Sequence, residues 1–258
     1  MITEHSAEID GHLVVWRQAG DAPILWLHGV PDSGALWTPF LERAGGVAPD
    51  LPGFGRSGKR ADFPYSIDGY ATFLGAFCDH LGLERVRLVA HDWGRVGIAM
   101  ALRRPGLVER LVAIDVVPFV EGFRWHRIAR IWRRRLVGEM AMGLTYPPIA
   151  RRLAKGMPPD QLDRALGPLV EVGQRAILRL YRSADPDVLA RAGDGLEQLG
   201  VPALIMWGAE DPYLDAGYGP RLGERLRATD VGIWSGLGHW PWADSPAVSQ
   251  KILQFILQ

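Results

Sequence analysis

Short, continuously apolar runs alternate along this chain with longer segments whose apolar residues recur every three or four positions. The opening stretch from Ala7 to Gln18 instead alternates apolar and polar residues around Asp10-Gly11, which predicts a β-hairpin. Pro23-Ile24-Leu25-Trp26-Leu27 is apolar throughout, as expected of a strand covered on both faces. Gly46 to Asp50 reads as another short strand and leads into the glycine-rich loop Leu51-Pro52-Gly53-Phe54-Gly55-Arg56-Ser57-Gly58. A helix follows, with Ser66 as its N-cap and Tyr70, Phe73, Leu74, Phe77 and Leu81 on one face. A strand ending at Asp92 comes next, then a helix from about Gly94 to Arg104 stopped by Pro105, and a strand from Arg110 to Val117. Strands alternating with helices predict an α/β fold with a mainly parallel, doubly wound sheet.

The alternation stops at about Pro118. From there to Leu199 the pattern is helical, and Pro202 to Gly208 and Val231 to Trp234 then resume the sheet. This predicts a core domain of residues 1–117 and 200–258, carrying residues 118–199 as an inserted helical cap, or lid. Trp125, Ile128, Ala129, Trp132 and Leu136 form an apolar stripe on the first cap helix. Arg124, Arg127, Arg133, Arg134 and Arg135 lie off that stripe. The stripe supplies a docking surface, so the arginines read as a solvated outer face rather than a nucleic-acid or membrane site.

Composition narrows the functional classes. The 258 residues carry 29 basic and 29 acidic side chains, for a formal net charge of zero, so no overall electrostatic pull toward nucleic acid or anionic membrane is expected. The single cysteine, Cys78, leaves no internal disulfide, and no Cys/His cluster has metal-ligand spacing. The N-terminal residues lack signal-peptide character, and no apolar stretch approaches the roughly 20 residues of a membrane span. The expectation is a cytoplasmic protein, monomeric or homodimeric, with no metal and no cofactor.

The chemistry concentrates at Asp92. Arg87-Leu88-Val89-Ala90-His91-Asp92-Trp93-Gly94 is an apolar strand breaking into a helix, with small residues two positions either side of the acid. This is the pattern of a nucleophile elbow, where strand and helix backbones approach so closely that only small neighbours fit. A carboxylate attacking an acyl carbon would give a labile anhydride. Attack at an sp³ carbon gives an alkyl ester that water can later cleave, which points to epoxides or alkyl halides as substrates. The partner expected is therefore a small apolar molecule with an electrophilic alkyl carbon. The start of the following helix favours the ionised carboxylate.

Five motifs in order carry a family resemblance. They are His28-Gly29-Val30-Pro31, Asp50 to Ser57, His91-Asp92-Trp93-Gly94, Trp207-Gly208-Ala209-Glu210-Asp211-Pro212 and Gly238-His239-Trp240. The chain resembles the α/β-hydrolase superfamily, in the branch of soluble epoxide hydrolases and haloalkane dehalogenases. That resemblance implies the α/β-hydrolase fold with Asp92 as nucleophile, His239 as the base that activates water, and Asp211 as the acid orienting it. Asp115, after the sixth strand, is the alternative acid. The resemblance also implies an oxyanion hole formed by the Val30 and Trp93 amides. His28 is expected to support the oxyanion loop, and His91 to point away from the nucleophile.

The leaving group separates the two subfamilies. Tyr181 resembles the epoxide hydrolase lid tyrosine that donates to a leaving alkoxide, and Tyr146 is the candidate second tyrosine. Gly238-His239-Trp240 is also nearer the epoxide hydrolase form. Val30 stands where many dehalogenases carry a halide-binding asparagine. Trp93 with Trp125 or Trp132 would instead form a two-indole halide clamp. Haloacetate dehalogenases carry arginines where this chain has Trp93 and Val96, and Arg95 is out of register for that role. The sequence reading is thus an epoxide hydrolase giving vicinal diols, with haloalkane dehalogenase as the alternative. A non-catalytic ligand-binding protein on the same scaffold is the alternative of a different class, and it would have no need of the triad.

Overall fold

The computed structural model describes residues 1–143 and 173–258. Eight strands form one sheet in the order β1-β2-β4-β3-β5-β6-β7-β8. They are β1 (Ile2–Ile9), β2 (His12–Ala19), β3 (Ile24–Leu27), β4 (Gly46–Pro49), β5 (Val86–His91), β6 (Val108–Ile114), β7 (Ala203–Gly208) and β8 (Asp230–Trp234). The hairpin β1-β2 is antiparallel and β2 runs antiparallel to β4, while all remaining neighbours are parallel. The hairpin turns at Asp10-Gly11, both with positive φ (50° and 75°), a geometry that matches the twist of the flanking strands.

Period-two alternation divides the strand side chains between two apolar layers. Leu25, Leu27, Leu88, Ala90, Leu111, Ala113, Ile205 and Trp207 enter one layer. Their neighbours Ile24, Trp26, Val89, Val112, Ile114, Leu204 and Met206 enter the other. Continuous apolar runs are required because both faces are covered. The helix Ile67–His80 covers the first face with Tyr70, Phe73, Leu74 and Phe77, and the Ser66 hydroxyl accepts the Gly69 N–H at 3.1 Å as its cap. Pro246–Ile256 covers the second face through Val248, Ile252 and Ile256.

Two expected boundaries shift. The sixth strand ends at Ile114 rather than Val117, because Asp115 adopts a left-handed backbone (φ 43°) that turns the chain out of the sheet. After β5 the chain first makes a 3₁₀ turn, Asp92–Arg95, before the α-helix Val96–Arg103.

Between β6 and β7 the described residues contain helices and no strand: Arg127–Trp132, Val137–Gly143, Gln174–Ser183, Pro186–Arg191 and the 3₁₀ turn Leu196–Gln198. The first of these is shorter than the apolar stripe suggested. It is capped by the His126 imidazole and stops at Trp132, and Leu136 sits beyond it at φ 65° and is 77% exposed. Leu136 therefore leaves the stripe, while Ala129 stays buried and Trp132 half-buried.

Candidate active site

Each site residue lies just past the carboxyl end of a parallel strand, where open α/β sheets bind ligands. Asp92 follows β5 at φ 50°, a left-handed conformation that non-glycine residues avoid. That turn lifts its carboxylate off the sheet. Gly29, after β3, must lack a side chain because a Cβ there would fall 2.4 Å from Asp92 Oδ1. Gly94 is similarly required, since its Cβ would lie 2.5 Å from the Leu27 carbonyl oxygen.

The backbone beside Gly29 provides the first ligand of the carboxylate. The Val30 N–H donates to Asp92 Oδ1 at 2.8 Å, and the Trp93 amide adds a second favourable interaction. Asp92 is only 5% exposed, and burial pushes its pKa up to about 6. The His239 charge and these two amides oppose that rise.

Asp92 Oδ2 faces His239 Nε2 at 3.8 Å, and His239 Nδ1 lies 2.6 Å from Asp211 Oδ2. Asp211 is fixed in turn, because its Oδ1 accepts the N–H groups of Tyr213 (2.7 Å) and Leu214 (3.0 Å). Burial works against the imidazolium, but the Asp211 charge and hydrogen bond, with Asp92 behind them, outweigh it and raise the His239 pKa. The three side chains thus form a connected line from carboxylate to imidazole to carboxylate.

Asp115 occupies a different position. Its Oδ1 accepts the Gly208 N–H at 2.9 Å, its Oδ2 has no hydrogen-bond partner, and burial holds its pKa far above the usual carboxylate range, with Asp211 adding to the shift. The His239 Nδ1 meets Asp211 Oδ2 at 2.6 Å, so the geometry favours Asp211 as the partner of His239. Asp115, Asp211 and His239 can bring one ligand atom each to within 4.8 Å of one another. The imidazole Nδ1 there is already engaged by Asp211.

The two other histidines near the site support the loops. Leu51 N–H donates to His28 Nε2 at 3.0 Å, so His28 Nδ1 carries the proton shared with the Gly29 carbonyl at 2.8 Å. Burial lowers the His28 pKa to about 4, which keeps it neutral. His91 points to the opposite side of the elbow, and its Nε2 meets the His239 carbonyl at 2.9 Å. It is also kept neutral, by burial first and by the His239 charge second. The loop after β4 is held by Asp50, which accepts Gly34 N–H and Arg56 N–H, both at 2.8 Å, and pairs with Arg17 at 3.0 Å.

The cap faces this line with aromatic rings. Trp93 stacks on Trp125 at a centroid distance of 5.7 Å, and Tyr181 packs edge-on against Trp93 at 5.2 Å. Trp132 reaches the other side of Tyr181 at 5.3 Å. The Trp93 indole N–H is buried and makes no well-formed hydrogen bond, with the Tyr181 hydroxyl close enough to interact with it. The Trp125 N–H is committed to the Ala184 carbonyl at 3.0 Å, which removes it as a halide donor and leaves only its ring available. Burial, followed by the Asp92 charge, raises the Tyr181 pKa well above that of a free phenol, while the Trp93 indole opposes the rise. Tyr146 lies outside the described residues.

Three residues near the site escape a sequence reading. Asp32 is buried, accepts the Trp240 indole N–H at 3.3 Å, and is pushed up to about 7 by burial, with Asp92 reinforcing the shift. It directly follows the His28-Gly29-Val30-Pro31 motif, and only folding buries it. Arg95 is fully buried, donates to the Pro118 and Leu189 carbonyls (3.3 and 3.1 Å) and lies 3.5 Å from the Phe119 ring centroid. It therefore ties the elbow to the inserted helices and does not face substrate. His126 carries no motif at all and is brought to the cap side of the site by folding.

Comparison with known proteins bears on the fold and family. Residues 22–142 match the alpha/beta hydrolase fold family. The chain is 30% identical over 210 residues to a haloalkane dehalogenase of Mycolicibacterium paratuberculosis, covering 74% of this chain and 68% of that protein. An uncharacterised protein of Mycobacterium tuberculosis is 28% identical across 93% of this chain and 76% of its own length. Among solved structures, the epoxide hydrolase CorEH superposes with a TM-score of 0.83 at 22% identity, covering 100% of this chain and 99% of that one. The chain belongs to the α/β-hydrolase family, in the branch that contains the epoxide hydrolases and haloalkane dehalogenases.

Proposed function

We propose that the protein hydrolyses small apolar epoxides through an alkyl ester formed on Asp92. The observation that carries this reading is the line Asp92–His239–Asp211, with Asp92 Oδ1 already held by the Val30 N–H at 2.8 Å. With Oδ1 held in that hydrogen bond, Oδ2 is the oxygen that attacks carbon. The C–O bond of the epoxide breaks, its electron pair goes to oxygen, and the Tyr181 hydroxyl supplies the proton.

The second step reuses the same groups. Alkylation removes the negative charge of Asp92, so the His239 pKa falls and the imidazole stands neutral, free to accept a proton. It then takes a proton from water attacking the ester carbonyl. The charge developing on Oδ1 falls to the Val30 and Trp93 amides; on collapse the ester C–O bond breaks, the departing diol oxygen takes the proton from His239, and the proton left on the Asp92 carboxyl passes through solvent to the Tyr181 phenolate, which restores both groups. Asp211 stabilises the imidazolium throughout.

Haloalkane dehalogenation is the second reading, favoured by the Trp93 indole N–H, which makes no well-formed hydrogen bond. A weak donor of that kind suits a departing halide. Val30 in place of a side-chain amide and the commitment of the Trp125 N–H leave that halide with one indole donor, whereas the phenol of Tyr181 suits an oxygen leaving group. Turnover in ¹⁸O-labelled water, with mass spectrometry of the peptide containing Asp92, tests the proposal. Label entering Asp92 after repeated turnover of styrene oxide is the expected result. Diol formation without label in that peptide would refute the ester route, and release of bromide from 1-bromobutane with no diol from styrene oxide would favour the second reading.

A further inference from the structure

Two acidic side chains meet beside the imidazole of His239. Asp115 follows β6 and Asp211 follows its parallel neighbour β7, and both carboxyl groups are fully buried. One oxygen of each and one His239 ring nitrogen lie within 4.8 Å of one another. The titratable groups that face Asp115 are Asp211 after β7, Asp92 after β5 and His239 after β8. Of these only His239 can carry positive charge, and its Nδ1 is already engaged by Asp211 Oδ2 at 2.6 Å.

Hydrogen-bond donors are shared unequally between the two carboxyls. Asp211 accepts the Tyr213 and Leu214 N–H groups on Oδ1 and meets His239 with Oδ2. Asp115 accepts only the Gly208 N–H, on Oδ1 at 2.9 Å, and among the described residues its buried Oδ2 has no donor. An ionised Asp115 would leave a charged oxygen unsatisfied in a dry site, next to a second carboxylate of the same sign, and both effects are strongly unfavourable. A proton on Oδ2 removes both. It turns the orphan oxygen into a donor, and the Asp211 carboxyl is close enough to take part in a hydrogen bond with it. Burial, with the Asp211 charge behind it, acts in the same direction and raises the Asp115 pKa well above the usual carboxylate range.

We propose that Asp115 is protonated and directs its Oδ2–H to Asp211, so that the acid beside His239 is a carboxyl–carboxylate pair carrying one negative charge. Asp115 is then a positioning residue, which acts on the reaction only through Asp211 and keeps its proton throughout. A second negative charge at this place would hold His239 as imidazolium and prevent it from taking a proton from water. One charge, drawn partly toward the Asp115 hydroxyl, lets the imidazole stand neutral once the ester has formed on Asp92. This consequence rests on the reading of Asp92 as nucleophile and His239 as base, whereas the proton on Asp115 does not.

Infrared spectroscopy tests the proton directly. At about pH 8.5, above the values of about 6 for Asp92 and about 7 for Asp32, the parent should still show the carbonyl stretch of a protonated carboxyl, and Asp115→Asn should remove it. No such band in the parent, or its survival in Asp115→Asn, would overturn the proposal whatever the substrate. The effect on the reaction is read from single turnovers of styrene oxide with enzyme in excess, quenched between pH 5 and 9, with decay of the ester followed by mass spectrometry of the intact protein. Asp115→Ala removes the donor, so Asp211 holds the imidazolium more tightly. The acid limb of ester hydrolysis should then move up by about 1 pH unit, roughly tenfold slower on that limb. In Asp115→Asn the amide can give an N–H to Asp211 and an oxygen to the Gly208 N–H, and it should restore hydrolysis to within about threefold of the parent. A lower Tm in Asp115→Ala with an unmoved limb would show a structural role alone and overturn the positioning role. Loss of hydrolysis in Asp115→Asn equal to that in Asp115→Ala would overturn it too, since that is the result expected of a charged Asp115. Failure of the parent to form any ester would refute the Asp92 reading instead, and the infrared band would still decide whether Asp115 holds its proton.

Discussion

Tyr181 is where the leaving-group chemistry can be read at a single residue. Its phenol is buried against Trp93, and the Asp92 charge helps to hold it protonated. Tyr181→Phe keeps the ring and its packing but removes the proton. We expect it to slow styrene oxide opening by about 100-fold or more, and to leave bromide release from 1-bromobutane, if present, within a few-fold of the parent. Steady-state kinetics on both substrates check this, and equal loss on both would mean the hydroxyl serves packing rather than the leaving oxygen. Gly29 makes the complementary point about the nucleophile. A Cβ 2.4 Å from Asp92 Oδ1 meets a carboxylate that the Val30 amide already fixes, so Gly29→Ala must displace one or the other. Activity should drop at least about 100-fold while the circular dichroism spectrum stays that of the parent; near-normal activity would show that the loop relaxes freely.

At the scale of elements, caps and loop anchors decide which segments hold still. The helix Ile67–His80 begins at Ser66, whose hydroxyl accepts the Gly69 N–H at 3.1 Å. Ser66→Ala should cost about 1 kcal/mol in chemical denaturation, with no change in kcat, because the helix packs behind the sheet and away from the carboxylates. This cap was legible in the sequence, as were the hairpin, the succession of strands and helices along the chain and the face of that helix. All depend on near neighbours or on a simple period. The first cap helix was misread toward its end: Leu136 continues the spacing of the apolar stripe, yet the chain turns at φ 65° and leaves it exposed. Periodicity reports a face only as long as the helix lasts.

The whole molecule sets the electrostatics. Loops after β3, β5, β6, β7 and β8 bring Asp32, Asp92, Asp115, Asp211 and His239 into one dry region, so their charges are coupled. Burial raises Asp92 to about 6, and as the proposed nucleophile it would attack carbon only when ionised. The rate of ester formation should therefore rise with pH through about 6 and level off above it, falling tenfold per pH unit well below that point. Single-turnover kinetics from pH 4.5 to 8 test this, and an acid limb near the ordinary aspartate value of about 4 would contradict the burial argument. The same coupling decides between the two acids. Asp115 and Asp211 both follow strands and both match positions used in the family, but only Asp211 has two backbone donors on one oxygen and the imidazole on the other.

The residue pattern alone determined the α/β alternation, the helical insertion, the elbow at Asp92 and the five motifs that point to the α/β-hydrolase family, because each is written within a few consecutive residues or a fixed period. Tertiary structure alone decided that Asp115 is buried with its pKa raised, that the Trp125 N–H is spent on a backbone carbonyl, that Arg95 fastens the elbow to the inserted helices, and that His126 packs against Tyr213. Those properties depend on burial and on partners dozens of residues distant, and both come into being only when the chain closes on itself.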